Sequence, residues 1–207
     1  MPKVIGESKR GIAKAEPPRL CAEHMWRKRH PHNEGPEVFL SKRAEEKIRN
    51  HAIAYRDEQL EVMGLMVGDA FQAPDGYLYS IVNDVVSSGL EASSVSVRFD
   101  RKRLDDLAVR LDDLRWDYLI VGWYHSHPGH GCFLSPTDIQ TQRTLFPEPY
   151  HSAIVIDPIA MEIAAFKLDG QGYIPVKFAV FWEEYEDPYG PMEKIRDLRP
   201  RSHALTS

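Results

Sequence analysis

Apolar positions between residues 37 and 182 alternate between helical and strand spacing. After Ser41 they recur about once per helical turn, which predicts a helix capped by that serine. A second helical stripe runs through 104–114, with Asp100 as its candidate cap. A third helix is expected after Ser135, because serine, proline and an acidic residue follow in the order typical of a helix start.

Short apolar or alternating runs between these helices predict β-strands. The expected strands are 61–68, 77–86, 95–99, 118–125, 153–157, 161–168 and 173–182. Turn residues bound several of them, such as the Pro-Asp-Gly triplet before the second strand and the Gly-Asp pair that ends the first. This succession of strands and helices predicts an α/β (mixed α+β) fold.

Charge divides the chain into an expected leader, domain and tail. Residues 1–36 carry eight Lys/Arg against four Asp/Glu, whereas the remainder carries 18 against 27. We expect a basic, partly disordered leader over 1–36, a catalytic domain over 37–185 and a polar tail over 186–207. The leader is either a docking arm for an acidic partner or RNA, or a solvated tail. The net charge of −5 argues against a nucleic-acid-binding protein.

Cysteine content and hydropathy indicate a cytoplasmic protein. Cys21 and Cys132 cannot form a disulfide framework and suit a reducing compartment. The first residues contain no apolar stretch of the kind a signal peptide needs. The apolar run over 118–124 is too short to span a bilayer, so no membrane association is expected.

Two histidines and an aspartate form the candidate metal site. His125 and His127 stand at positions i and i+2 of a predicted strand, so both imidazoles face the same way. Asp138 lies eleven residues later, in the first turn of a predicted helix. This set suits a catalytic zinc ion whose fourth position stays open. Taken singly, these residues are also compatible with hydrogen-bonding histidines and a helix-capping acid.

The surrounding sequence resembles a known family. The run GWYHSHPGHGCFLSPTDIQTQ over 122–142 resembles the signature of JAMM (MPN-plus) zinc metalloproteases, and EVMGLMVG over 61–68 resembles their glutamate strand. The likeness covers about 37–170 and is strongest to the branch found in the proteasome lid. It implies an MPN/JAMM (cytidine-deaminase-like) fold with a curved mixed β-sheet flanked by helices. The implied function is zinc-dependent removal of ubiquitin or ubiquitin-like modifiers from lysines.

The resemblance also implies a role for each site residue. One catalytic Zn²⁺ would be held by His125, His127 and Asp138. Glu61 would be the general acid/base, and Ser135 would stabilise the oxyanion. We expect Cys132 to be a packing or substrate-groove residue, and His130 and His151 to be surface or loop histidines. A second zinc site in the leader has only weak support, because it would combine one cysteine with irregularly spaced histidines. Its candidate ligands are Cys21, His24, His30 and His32.

Partners follow from the same resemblance. Residues 83–97 would clamp the C-terminal tail of the modifier, although a plain mobile loop over 87–94 is the alternative. Compared with the family, we expect a reduced second insertion after Asp157-Pro158 and no C-terminal docking helices. We therefore expect a freestanding or differently recruited enzyme of prokaryotic type, brought to a proteasome or AAA unfoldase by its leader. The alternatives are a peptidase that processes ubiquitin-fold sulfur-carrier proteins and a non-catalytic MPN scaffold.

Overall fold

The computed structural model describes residues 12–14, 36–73, 76–87 and 119–181. These residues form nine strands and two helices. The strands are β1 (Ala13–Lys14), β2 (Val38–Ser41), β3 (Met63–Gln72), β4 (Leu78–Ser87), β5 (Leu119–Ser126), β6 (Ser152–Asp157), β7 (Glu162–Asp169), β8 (Gly172–Val176) and β9 (Phe178–Phe181). The helices are α1 (Lys42–Ala54) and α2 (Pro136–Leu145).

All nine strands belong to one mixed sheet in the order β8-β7-β6-β5-β3-β4-β2-β9, with β1 beside β3. β8 and β9 lie at opposite ends of this order, yet only Lys177 separates them along the chain. The sheet therefore has to curl until its two ends approach each other. An ion pair joins Lys167 of β7 to Glu37, just before β2, with 2.9 Å between Nζ and Oε2. The predicted curved, mixed α/β sheet is confirmed.

Helix α1 covers one face of this sheet and begins where the sequence predicts. The Ser41 hydroxyl accepts a hydrogen bond from the backbone N–H of Ala44 at 3.1 Å. A Ser, Thr or Asp at this position stabilises a helix by about 1 kcal/mol relative to Ala. The apolar stripe of the helix is fully buried against residues such as Tyr124 and Ile154. Amphipathic spacing thus fixes which side of α1 faces the sheet.

The opposite face carries a second apolar cluster around Trp123, Leu65, Val155 and Phe146. Successive residues of a strand point to opposite faces, so Trp123 faces this cluster while Tyr124 faces α1. Both faces of the central strands are covered, which explains why β5 is apolar along most of its length.

The predicted extents of two strands, 61–68 and 173–182, are wrong. The first strand begins at Met63 rather than Glu61 and continues through the expected Gly-Asp turn to Gln72. Gly68 lies in a β-bulge there, and a Cβ on it would lie 1.8 Å from the Ile81 carbonyl oxygen. The single strand expected over 173–182 is two strands, β8 and β9, because each pairs with a different end of the sheet.

Several expectations fall outside the described residues. These are the helix over 104–114, the strand over 95–99, the tail over 186–207 and most of the predicted leader. Two leader residues, Ala13 and Lys14, pair in parallel with Phe71 and Gln72 of β3. None of the helices in the described ranges has the length and apolar character needed to cross a membrane.

Candidate metal centre

The two histidines stand at the carboxyl end of β5, on the face that packs against α2. His125 is paired with Met63 of β3 and with Val155 of β6, so hydrogen-bonded strands hold it on both sides. Immediately after the strand, the His127 N–H donates to the Ile156 carbonyl at 2.9 Å. The local backbone of this pair is therefore set by the sheet and not by a free loop.

Gly122 allows β5 to lie close to β6 just before the histidines. Its φ is +148°, and a Cβ on it would lie 1.9 Å from the Ser152 carbonyl oxygen. The β3–β5 register shifts between Met66 and Val67, opposite this glycine. Such bulges redirect the side chains that follow them, here Trp123 and His125.

Asp138 approaches the two histidines from the first turn of α2. Its Oδ2 atom lies 3.4 Å from His125 Nε2 and 3.6 Å from His127 Nε2. One ligand atom from each of the three residues falls within 4.8 Å of the others, and all three side chains are buried. The chain thus brings together the three candidate ligands from two separate elements.

A reciprocal capping arrangement holds Asp138 in place. The Ser135 hydroxyl accepts a hydrogen bond from the Asp138 N–H at 3.2 Å, and Asp138 Oδ2 accepts one from the Ser135 N–H at 2.7 Å. Burial alone would raise the pKa of Asp138, but the two imidazoles and Ser135 hold that pKa well below its ordinary value. The carboxylate is therefore ionised, as a metal ligand must be.

The imidazole nitrogens support the interpretation of this trio as a metal site. Both ring nitrogens of His125 and Nδ1 of His127 are buried and make no hydrogen bond within the described part of the chain. Leaving such groups without a partner costs about 1–3 kcal/mol each. A cation bound between the Nε2 atoms and Asp138 would satisfy the inward-facing nitrogens, so the donor set fits a zinc ion.

Glu61 lies beside the histidines, although it precedes β3. The pairing of Met63 with His125 places Glu61 opposite His127, on the same face of the sheet. Two hydrogen bonds hold Val62, the residue between Glu61 and Met63. The Ser126 N–H donates to the Val62 carbonyl, and the Val62 N–H donates to Ser126 Oγ. Burial lowers the pKa of His127, but the Asp138 and Glu61 carboxylates raise it above its ordinary value.

The other candidate residues take different positions. The Cys132 thiol donates to the Val155 carbonyl at 3.3 Å, and burial raises the pKa of that thiol, which favours a packing role over metal ligation. His130 is exposed, as expected. His151 lies in the loop before β6, which agrees with the expected surface or loop position, but its side chain is buried: Nδ1 accepts from the Glu148 N–H, and Nε2 donates to the Ile120 carbonyl.

Asp157 organises the loop after His127, and sequence reasoning missed it. Its two carboxylate oxygens accept hydrogen bonds from four backbone N–H groups on two loops, those of Gly129, Gly131, Ile159 and Ala160. Burial raises the pKa of Asp157, but these four donors bring it below its ordinary value. The Asp-Pro pair in the sequence predicts a strand end, but it does not indicate the loop 26 to 28 residues away.

Comparison with known proteins identifies relatives of the part of the chain that contains the metal trio. The profile of a family described as JAB1/Mov34/MPN/PAD-1 ubiquitin protease matches residues 33–146. The 26S proteasome regulatory subunit RPN11 of Eremothecium gossypii is 40% identical over 130 residues, which cover 59% of this chain and 38% of that protein. COP9 signalosome complex subunit 5 of Yarrowia lipolytica is 31% identical over 194 residues, which cover 88% of this chain and 51% of that protein.

Among solved structures, the solution structure of a Desulfitobacterium hafniense protein matches with a TM-score of 0.54. The match covers 72% of this chain and 97% of that one at 19% identity, so it supports the fold alone. The chain spans only 38% and 51% of the length of the two curated relatives above.

Proposed function

The chain belongs to the JAB1/Mov34/MPN/PAD-1 ubiquitin protease family, and from that premise we propose that it is a zinc-dependent isopeptidase. Its substrates would be lysines that carry ubiquitin or a ubiquitin-like modifier. The observation that carries this proposal is the buried trio of His125, His127 and Asp138, whose ligand atoms converge within 4.8 Å. Two imidazoles and one carboxylate leave an open zinc position, which is the arrangement of hydrolytic zinc enzymes.

The three ligands would hold the ion, with Asp138 held ionised by its neighbours and the histidines anchored in β5. A bound zinc ion supplies an acidified water molecule and a Lewis acid for the isopeptide carbonyl. The surrounding side chains then have to move protons and stabilise the developing charge.

Glu61 is the candidate proton carrier. It lies opposite His127, and its charge acts on that imidazole, so its carboxylate lies beside the metal trio. In our proposal this carboxylate takes the proton of the attacking water and returns it to the departing lysine amine. A positioned acid/base of this kind accounts for about 10²- to 10⁴-fold in rate.

Ser135 is the candidate oxyanion donor. Its oxygen accepts the capping hydrogen bond from the Asp138 N–H, which leaves the hydroxyl proton available for a second partner. The side chain is partly exposed at the start of α2, next to the ligands. We propose that it donates to the carbonyl oxygen as negative charge develops there. Loss of one such donor typically costs about 10²- to 10³-fold in rate.

Relatives suggest the substrate class. The name of one relative from Saccharomyces cerevisiae, 37% identical over 148 residues, is ubiquitin carboxyl-terminal hydrolase RPN11. Other relatives are named as subunits of the 26S proteasome and the COP9 signalosome. We therefore propose a ubiquitin-fold protein with a flexible C-terminal tail as the substrate. A proteasome or an AAA unfoldase is the proposed recruiting partner.

The test is a cleavage assay on defined conjugates. The zinc-loaded protein is incubated with lysine-linked ubiquitin-like conjugates and with linear fusions, with and without chelator, and products are identified by mass spectrometry. We expect isopeptide cleavage that chelator abolishes and that Glu61→Gln reduces at least a hundredfold without loss of zinc. Cleavage that survives chelation or Glu61→Gln contradicts the mechanism. Processing of linear fusions alone would instead favour a sulfur-carrier peptidase.

A further inference from the structure

The orientation of His125 is not set in the usual way. Metal-binding histidines normally donate their non-ligating ring N–H to a carboxylate, a carbonyl or a water molecule, which fixes the ring plane. His125 Nε2 faces Asp138, so Nδ1 is the remaining nitrogen. That Nδ1 is buried and makes no hydrogen bond within the described residues. Among the described residues, packing against the ring is therefore what remains to hold the imidazole plane.

The indole of Trp123 makes that contact. Its ring lies nearly parallel to the His125 imidazole, with an interplanar angle of 13° and 4.4 Å between ring centroids. The two residues are at positions i and i+2 of β5 and share one face. Trp123 is fully buried, and the Phe146 ring is also nearly parallel to it, at 8° and 6.0 Å. The imidazole therefore rests on a tightly packed aromatic surface.

Gln142 connects this surface to the helix that carries Asp138. Trp123 Nε1 donates to Gln142 Oε1 at 2.6 Å, and Gln142 Nε2 donates to the Phe146 carbonyl at 3.1 Å. Gln142 lies four residues after Asp138, one turn further along the same face of α2. Its side chain is 1% exposed. One amide thus links β5, which carries His125 and leads directly into His127, to α2, which carries Asp138.

We propose that Trp123 and Gln142 are positioning residues of the metal centre. The indole sets the plane of the His125 imidazole, and its hydrogen bond to Gln142 sets the separation between β5 and the Asp138 carboxylate. This inference rests on the proposed function only in requiring a metal at the trio, and it is independent of the substrate. Replacing residues that orient ligands typically weakens metal binding about 10- to 100-fold.

The test measures metal binding in the full chain, apart from catalysis. Trp123→Phe removes the indole N–H and keeps a ring, Gln142→Met removes the amide at similar volume, and a double variant combines them. Zinc affinity is measured by competition with a chromophoric chelator, and the absorption spectrum of the cobalt-substituted protein reports the ligand geometry. We expect each single variant to lose about 10- to 100-fold in zinc affinity and to change the cobalt spectrum.

Coupling and a matched control separate positioning from general destabilisation. Because both substitutions break one shared hydrogen bond, the double variant should lose less affinity than the product of the two single losses. Ser41→Ala is the control, since it removes another buried side-chain hydrogen bond at the cap of α1. It should lower the thermal midpoint but leave zinc affinity within twofold, when all proteins are compared at a temperature where they are folded.

Two results would overturn the inference. Folded Trp123→Phe and Gln142→Met proteins with wild-type zinc affinity and cobalt spectra would show that the link has only a structural role. Failure of the wild-type protein to bind zinc would remove both this inference and the proposed metal site. If the wild type binds zinc, the variants lose it and no conjugate is cleaved, the positioning role stands and the isopeptidase proposal fails.

Discussion

Ser126 stands between the two candidate ligands, and its side chain points to the opposite face of β5. Its buried hydroxyl accepts a hydrogen bond from the Val62 N–H at 3.0 Å, and Val62 is the neighbour of Glu61 in the chain. Ser126→Ala leaves that N–H without a partner, at a cost of about 1–3 kcal/mol. We expect isopeptidase kcat to fall about tenfold or more as Glu61 loses its position, while zinc affinity stays within about twofold because the strand pairing still holds the histidines.

A serine on the neighbouring strand provides the matched control for this prediction. Ser152 is fully buried, but its hydroxyl makes no hydrogen bond within the described residues. Ser152→Ala should therefore leave kcat unchanged and should not lower stability, because it removes a buried hydroxyl that has no partner there. Equal losses of kcat in the two variants, or loss of zinc from Ser126→Ala, would contradict a role for Ser126 in placing Glu61.

At the scale of the elements, the neutral side chain of His151 links the start of β5 to the loop after α2. Nδ1 accepts from the Glu148 N–H and Nε2 donates to the Ile120 carbonyl, both at 3.1 Å. The pKa of His151 is lowered to about 4, and burial is the largest cause. Since the unfolded chain binds this proton near pH 6.5, the stability from neutral His151 is present above pH 6.5 and is lost as pH falls towards 4.

This loss should reach about 3 kcal/mol near pH 4, from the difference between the two pKa values. Denaturant unfolding of the metal-free protein at several pH values measures it. His151→Gln should be less stable than the wild type at pH 7.5, and the difference between the two proteins should shrink as pH falls from 6.5 to 4. A difference that is constant over this range would show that His151 does not bind its proton preferentially in the unfolded state.

Both helix starts in the described chain could be predicted from sequence, because Ser41 and Ser135 act locally on the residues that follow them. The metal trio could be anticipated for a similar reason, since the period of a strand and the first turn of a helix are local geometry. The same local geometry places Trp123, two residues before His125, on the same strand face as that histidine. It also places Gln142, four residues after Asp138, on the same helix face as that aspartate. Their pairing nevertheless depends on how α2 packs on the sheet.

For the whole molecule, the curling of the sheet that brings its two ends together could not be predicted from the sequence pattern. The residues of 173–181 alternate like one strand, and nothing local indicates that the two sides of Lys177 pair with opposite ends of the sheet. The Glu37–Lys167 ion pair joins residues 130 positions apart and has no local signal either. Long-range pairings of this kind decide the curvature that places β5 and α2 together at the metal centre.

Whether His125, His127 and Asp138 bind one zinc ion is tested most directly by X-ray absorption at the zinc edge, with the protein loaded with one equivalent of zinc. We predict nitrogen and oxygen ligands at about 2.0–2.2 Å, with the scattering signature of two imidazoles. Asp138→Asn should weaken the binding while leaving the fold intact. A sulfur ligand at about 2.3 Å, which would implicate a cysteine, or the absence of two imidazoles, would contradict this zinc site.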